Sequence, residues 1–140
     1  MTSNETPIHL QNEKKLFEWL KQEYLPDLTQ SKTNSKYDCF SEKYLFDIEI
    51  KCRKKHYNDL LIEKKKYDFL MKRSDEFSTI PIYINSTPLG VWAFYIKDIR
   101  ISWTTKILPK KTYWNDGTYI DKEIGYISIS DGMRLDGPRV

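Results

Sequence analysis

FDIEIKCR, residues 46–53, places apolar and charged side chains on alternate positions. Strand geometry sends successive side chains to opposite faces, so Phe46, Ile48, Ile50 and Cys52 share one face while Asp47, Glu49 and Lys51 share the other. Two readings are open. One is an ordinary strand whose charged face is solvated, a common guard against edge-to-edge aggregation. The other is a cluster of charged groups built to hold a metal ion.

The neighbouring stretches set the frame. Residues 36–40 read as a strand joined to a second strand, 44–53, through Ser41, Glu42 and Lys43, a length that suits a hairpin. Before it, Leu16, Phe17, Leu20 and Tyr24 recur at helical spacing over 12–24, with Asn12 placed to cap the helix and Pro26 to end it. After it, Tyr57, Leu60, Leu61, Tyr67, Leu70 and Met71 form a helical stripe over 56–73, with Lys64, Lys65 and Lys66 mostly outside it. Residues 80–85 and 91–99 read as strands separated by turn chemistry. Trp114-Asn115-Asp116-Gly117-Thr118 suits a hairpin tip, residues 124–129 alternate like a strand, and the tail from Asp131 reads as loosely held. The order of helix, strands, helix, strands predicts an α/β sandwich around a mixed sheet rather than a doubly wound fold.

A chain of 140 residues is the size of one domain with a single core. We read it as one domain over 1–140, with a flexible leader over 1–11, a core over about 12–99 and a β-rich extension over 100–140. Hydrophobic residues make up 39% of the chain and aromatic residues 14%, enough to fold around a core. The formal charge of +3 says little about partners, since a weakly basic balance also serves solubility. Its distribution says more, because nine Lys or Arg stand against three Asp or Glu between Lys51 and Arg73. Cys39 and Cys52 are too few for a Cys-based zinc site and suit buried strand positions, and free thiols suggest a reducing compartment. No apolar signal core and no run approaching the roughly 20 apolar residues of a membrane span is present. The expectation is a soluble, intracellular protein without membrane contact.

A hard divalent cation such as Mg²⁺ takes oxygen ligands, commonly one or two carboxylates, with water and substrate phosphate completing the shell. Asp38 on the first hairpin strand and Glu49 on the second supply such a pair if the register brings them together. Lys51 emerges on the same face as Glu49, about 7 Å further along. Its ammonium is suited to orienting an attacking water and offsetting charge on a scissile phosphate.

Asp38, ten intervening residues and then Glu49-Ile50-Lys51 resembles the D...(D/E)xK signature of the PD-(D/E)XK, or restriction-endonuclease-like, nucleases. The flanking helices fall where that family's core has them. The resemblance covers about 12–99 and implies an αβββαβ core, a mixed central sheet flanked by helices, here with an extra C-terminal β-rich segment. The chain is similar to the archaeal Holliday-junction-resolvase branch, which opens its first helix with a glutamate followed by apolar residues three, four and seven positions later. Glu13 with Leu16, Phe17 and Leu20 fits that pattern, and Glu18 and Glu23 are alternatives. By the same resemblance Asp38, Glu49 and the backbone carbonyl of Ile50 would hold Mg²⁺, for which Mn²⁺ substitutes. Lys51 would orient the nucleophile, and Glu13 would support a water or a second cation. Tyr37 stands where the family has its name-giving proline, and Asp47 adds an acid to the same face.

The implied function is a metal-dependent DNA endonuclease, acting on branched or processed DNA. Arg53, Lys54 and Lys66, with Lys55, Lys64 and Lys65 around them, would contact phosphates, an affinity that falls with salt and carries little sequence information. A noncatalytic nucleic-acid- or protein-binding module with the same fold is the alternative, and the chain leaves open whether a homodimer presents two sites. Other chemistry has weaker support. His9 and His56 lack the partners of a Ser/His/Asp arrangement and read as surface histidines. Asp47 and Glu49 sit on one strand, whereas a glycosidase pair brackets its sugar from opposite sides. Trp92, Trp103 and Trp114 read as packing residues rather than base-stacking platforms.

Overall fold

The computed structural model describes residues 12–30, 38–110 and 117–137. Among them the chain forms two α-helices and nine strands. Helix α1, Glu13–Glu23, starts where the Asn12 side-chain oxygen accepts the backbone N–H groups of Lys14 and Lys15 at 3.0 and 3.3 Å. That satisfies donors a helix start otherwise leaves without partners. Strands β1 (Thr29–Gln30), β2 (Asp38–Ser41) and β3 (Phe46–Cys52) then form an antiparallel run. Next come β4 (Asp59–Glu63), helix α2 (Lys64–Phe77) and β5 (Ile80–Thr87), which pairs parallel to β3. A parallel pair cannot be closed by a hairpin, so β4 and α2 make the crossover. The remaining strands are β6 (Gly90–Tyr95), β7 (Thr104–Pro109), β8 (Tyr119–Ser128) and β9 (Met133–Arg134).

Among the described residues the larger sheet has the order β1-β2-β3-β5-β6-β9 and the smaller one β4-β8-β7. Leu16 and Leu20 of α1 pack with Ile48 and Ile50 of β3, Ile82 and Ile84 of β5, and Ala93 of β6. Helix α2 instead bonds to Asp47 and Glu49, which the pleat directs to the other face. The two helices therefore cover opposite faces of the larger sheet. A second core lies on the α2 side, where Leu70 meets Leu60 and Ile62 of β4, Ile127 of β8, and Tyr83, Trp92 and Phe94 of the larger sheet. The architecture is α/β with a mixed sheet and two helices.

Several expectations are corrected. The helix read over 56–73 is a strand followed by a later helix, because β4 pairs with β8 from Asp59↔Ser128 to Glu63↔Ile124, a partner far away in sequence. Helix α2 begins at Lys64 and runs past Arg73 to Phe77, closing on Ser78 in the left-handed conformation, φ 55°. The strand read over 91–99 ends at Tyr95 and continues as a short 3₁₀ turn, Ile96–Asp98. The tail read as loose is held in place up to Asp136: β9 pairs with β6, Leu135 is buried, and the Tyr24 hydroxyl donates to the Leu135 carbonyl. The leader over 1–11, the start of the strand read over 36–40 and the hairpin tip around Trp114 lie outside the described residues. No described helix is long and apolar enough to cross a membrane.

Candidate functional site

The register of the hairpin decides what FDIEIKCR is. Residue 38 of β2 lies directly opposite residue 49 of β3, so the Asp38 and Glu49 side chains leave the sheet on the same face as neighbours. β3 lies between β2 and β5, a central strand rather than an edge. The charged face is not solvated: Asp38, Asp47 and Glu49 keep only 7%, 3% and 8% of their exposure. An edge guard has no reason to bury three carboxylates, which are costly to desolvate unless paired.

Helix α2 supplies partners. The Lys66 ammonium lies 3.2 Å from Glu49 Oε2, and Arg73 Nε donates to Asp47 Oδ2 at 2.9 Å. Lys66 and Arg73 are seven residues apart, about two turns, and so share one helix face. Burial pushes the Glu49 carboxyl up to about 8, helped by its hydrogen bond with Asp38 and opposed by Lys66. Burial also raises Asp47, against the pull of Arg73. Glu49 thus holds its proton more firmly than a solvated carboxyl does, first because it is buried and then because Asp38 stands beside it.

Lys51 follows on the same face, opposite Asn85 of β5. Its ammonium is half-buried, and burial lowers its pKa first, with the positive charges of Arg53 and Lys66 adding to the effect. The carboxylates of Glu13 and Glu63 act in the other direction. Glu13 at the start of α1 therefore adds negative charge that Lys51 feels from the other side of the sheet. Ile50 turns its side chain into the α1 core, so a backbone carbonyl is the one group it could offer a cation.

The expected phosphate contacts divide. Lys54 is exposed in the loop after β3, and the Lys66 side chain is about half-exposed, at 48%. Arg53 is turned inward instead. Its guanidinium donates to Asn85 Oδ1 at 3.1 Å, to the Tyr83 hydroxyl at 3.0 Å and to the Leu61 carbonyl, tying β3, β5 and β4 together. These bonds give Arg53 a structural role beside the phosphate contact expected of it. Lys64 pairs with Asp68 at 2.7 Å. His56, expected at the surface, is half-buried, with Nδ1 2.8 Å from Thr87 Oγ1 and its ring against Trp92.

Sequence reasoning missed Arg73, Tyr83 and Asn85. The seven-residue spacing of Lys66 and Arg73 was a usable signal for the first. Tyr83 and Asn85 depend on the parallel register of β5 against β3, which no local pattern announces. Asn85 is fully buried, and its side-chain nitrogen has no hydrogen-bond partner among the described residues.

Among the described residues no group of three or more His, Cys, Asp or Glu is placed to hold a metal ion. Two carboxylates and a carbonyl suit Mg²⁺, which keeps several waters and takes one or two acids, better than zinc, which wants nitrogen or sulfur donors. No family model, no curated protein and no solved structure matches the chain.

Proposed function

We propose that this chain is a Mg²⁺-dependent deoxyribonuclease that hydrolyses phosphodiester bonds. The observation that carries the reading is the pairing of Asp38 directly opposite Glu49 on a buried central strand, with Lys51 next on the same face. The order α1, β1, β2, β3, β4, α2, β5, in which β4 belongs to the smaller sheet and β5 runs parallel to β3, supports a restriction-endonuclease-like core with one strand inserted before its second helix.

Asp38, Glu49 and the Ile50 carbonyl would hold the cation, with Mn²⁺ as a substitute. When bound, it would neutralise phosphate charge and acidify water. The chain's own groups do the rest. Lys51, its charge eased by burial and steadied by Glu13, donates hydrogen bonds that orient the attacking water and stabilise charge on the phosphate. The apolar cores on both faces of the sheet hold this group of side chains rigid, so little reorganisation is needed at the reacting centre. Lys54 takes a neighbouring phosphate, and its contribution weakens as salt rises.

The rival is a noncatalytic binding module, and the ion pairs from α2 favour it in one respect, since they give the acids a structural role. Plasmid, single-stranded, flap and four-way-junction DNA offered with Mg²⁺ or Mn²⁺ separate the two. Cutting of at least one substrate, lost in Glu49→Gln and Lys51→Ala, supports the nuclease. Binding without cutting under every condition supports the module.

A further inference from the structure

Helix α2 opens against the usual rules. Its first three residues are Lys64, Lys65 and Lys66, no acid lies in the first turn, and Glu63 at the cap makes no side-chain hydrogen bond to the backbone. The start of a helix carries a partial positive charge and favours anions, so a triple-lysine start is locally unfavourable. Sites that break a local rule without a local gain are often functional. Lys64 finds Asp68 one turn on. For Lys66 the gain is non-local: its Nζ lies 3.2 Å from Glu49 Oε2.

The two α2 ion pairs differ in how firmly they are held. Arg73 and Asp47 are both largely buried, with side chains 22% and 5% exposed. In the Glu49 pair only one partner is confined, since the carboxylate is 10% exposed and the lysine 48%. Glu49 is fixed in the strand beside Asp38, whereas Lys66 reaches in on a flexible stem from a solvent-facing turn. A lysine is a compact point charge that exchanges partners readily, unlike the planar fork of an arginine.

We propose that Lys66 is the resident counter-cation of the Asp38–Glu49 pair and that its ammonium and a divalent ion exclude each other at Glu49. The inference rests on the cation-site reading above and adds a gate to it. Without a divalent ion, Lys66 closes the seat and offsets the buried negative charge. A divalent ion must displace it, and the freed ammonium then turns outward, where a substrate phosphate is its natural partner. The lysine thus contributes to DNA contact only after the cation seat is filled.

The test is Mn²⁺ titration by calorimetry on the full chain, freed of metal and without DNA, for the wild type, Lys66→Met, Lys66→Gln and Lys66→Arg. Removing the competing charge is expected to tighten Mn²⁺ binding by roughly tenfold in the Met and Gln variants and leave the Arg variant close to wild type. The Met and Gln variants should also melt lower in EDTA than the wild type and regain the difference when Mn²⁺ is added. Unchanged or weaker Mn²⁺ binding in both neutral variants overturns the gate, as does no binding by any variant. The nuclease reading is judged separately by cutting. If the wild type cuts DNA while the neutral variants bind Mn²⁺ no more tightly, the gate falls and the nuclease stands. Tighter Mn²⁺ binding with no cutting by any variant leaves the gate standing and removes the nuclease.

Discussion

The two faces of β3 are equally buried and chemically opposite. On the α1 side Ile48 and Ile50 are 0% and 3% exposed, and on the α2 side Asp47 and Glu49 are 3% and 8% exposed. Burying each isoleucine stabilises the fold by roughly 1.5–3 kcal/mol. Burying the carboxylates costs stability, which the cations of α2 offset only in part. One face of this strand builds the fold by apolar packing, and the other holds buried charge tied to α2 by ion pairs. On the function proposed above, this face is the cation site.

Each face is tested by breaking it alone. On the acidic face, Glu49→Gln or Lys51→Ala is expected to reduce DNA cutting on the order of 10³-fold, measured as initial rates on whichever substrate the wild type cuts, with melting temperature nearly unchanged. On the apolar face, Ile48→Ala should cost about 3 kcal/mol in urea unfolding through the cavity it leaves. An acidic-face variant that unfolds the protein while the apolar one does not would reverse the assignment.

Within the acidic face, Arg73→Met should destabilise by about 2 kcal/mol, because it strands Asp47 in a buried setting. Adding Asp47→Asn should recover part of that loss, and simple additivity in this double-mutant cycle would show that the pair does not interact. The pH dependence tests Glu49 itself. Glu49 is raised in the folded state from its ordinary value of 4.5 to about 8. Between those values the unfolded chain has released a proton that the folded chain still holds, so stability falls as pH rises through that window and levels off above it. In EDTA this decline should amount to a few kcal/mol, at about 1.4 kcal/mol for each pH unit crossed, read as the difference between wild type and Glu49→Gln, which lacks the titrating group. A difference that grows in the other direction contradicts the crowding of Glu49 with Asp38. The smallest effect belongs to the hairpin turn, where Leu45 sits at φ 57°. Leu45→Gly relieves that conformation and gives up chain entropy, so thermal unfolding should change by less than about 1 kcal/mol.

Much of the fold was legible because the signals were local. The Asn12 cap, the stripe through Leu16 and Leu20, and the alternation of 46–52 each specify their element from neighbouring residues alone. The Asp38–Glu49–Lys51 face was legible for the same reason, since parity along two strands fixes which side chains share a face. What stayed hidden depends on distant partners. The segment DLLIE, 59–63, fits a helical stripe and a two-residue alternation equally, and only β8 decides between them. β1 and β9 are two residues each, too short to carry a period. Arg53 looked like a free cation because its three acceptors come from β4 and β5.

The central claim is that Asp38 and Glu49 share one cation beside Lys51. A crystal structure of the full chain grown with Mn²⁺, read by anomalous scattering, tests it most directly. The expected result is one strong peak between the Asp38 and Glu49 carboxylates, next to the Ile50 carbonyl and on the Lys51 side of β3. No peak there at saturating Mn²⁺ would contradict the account.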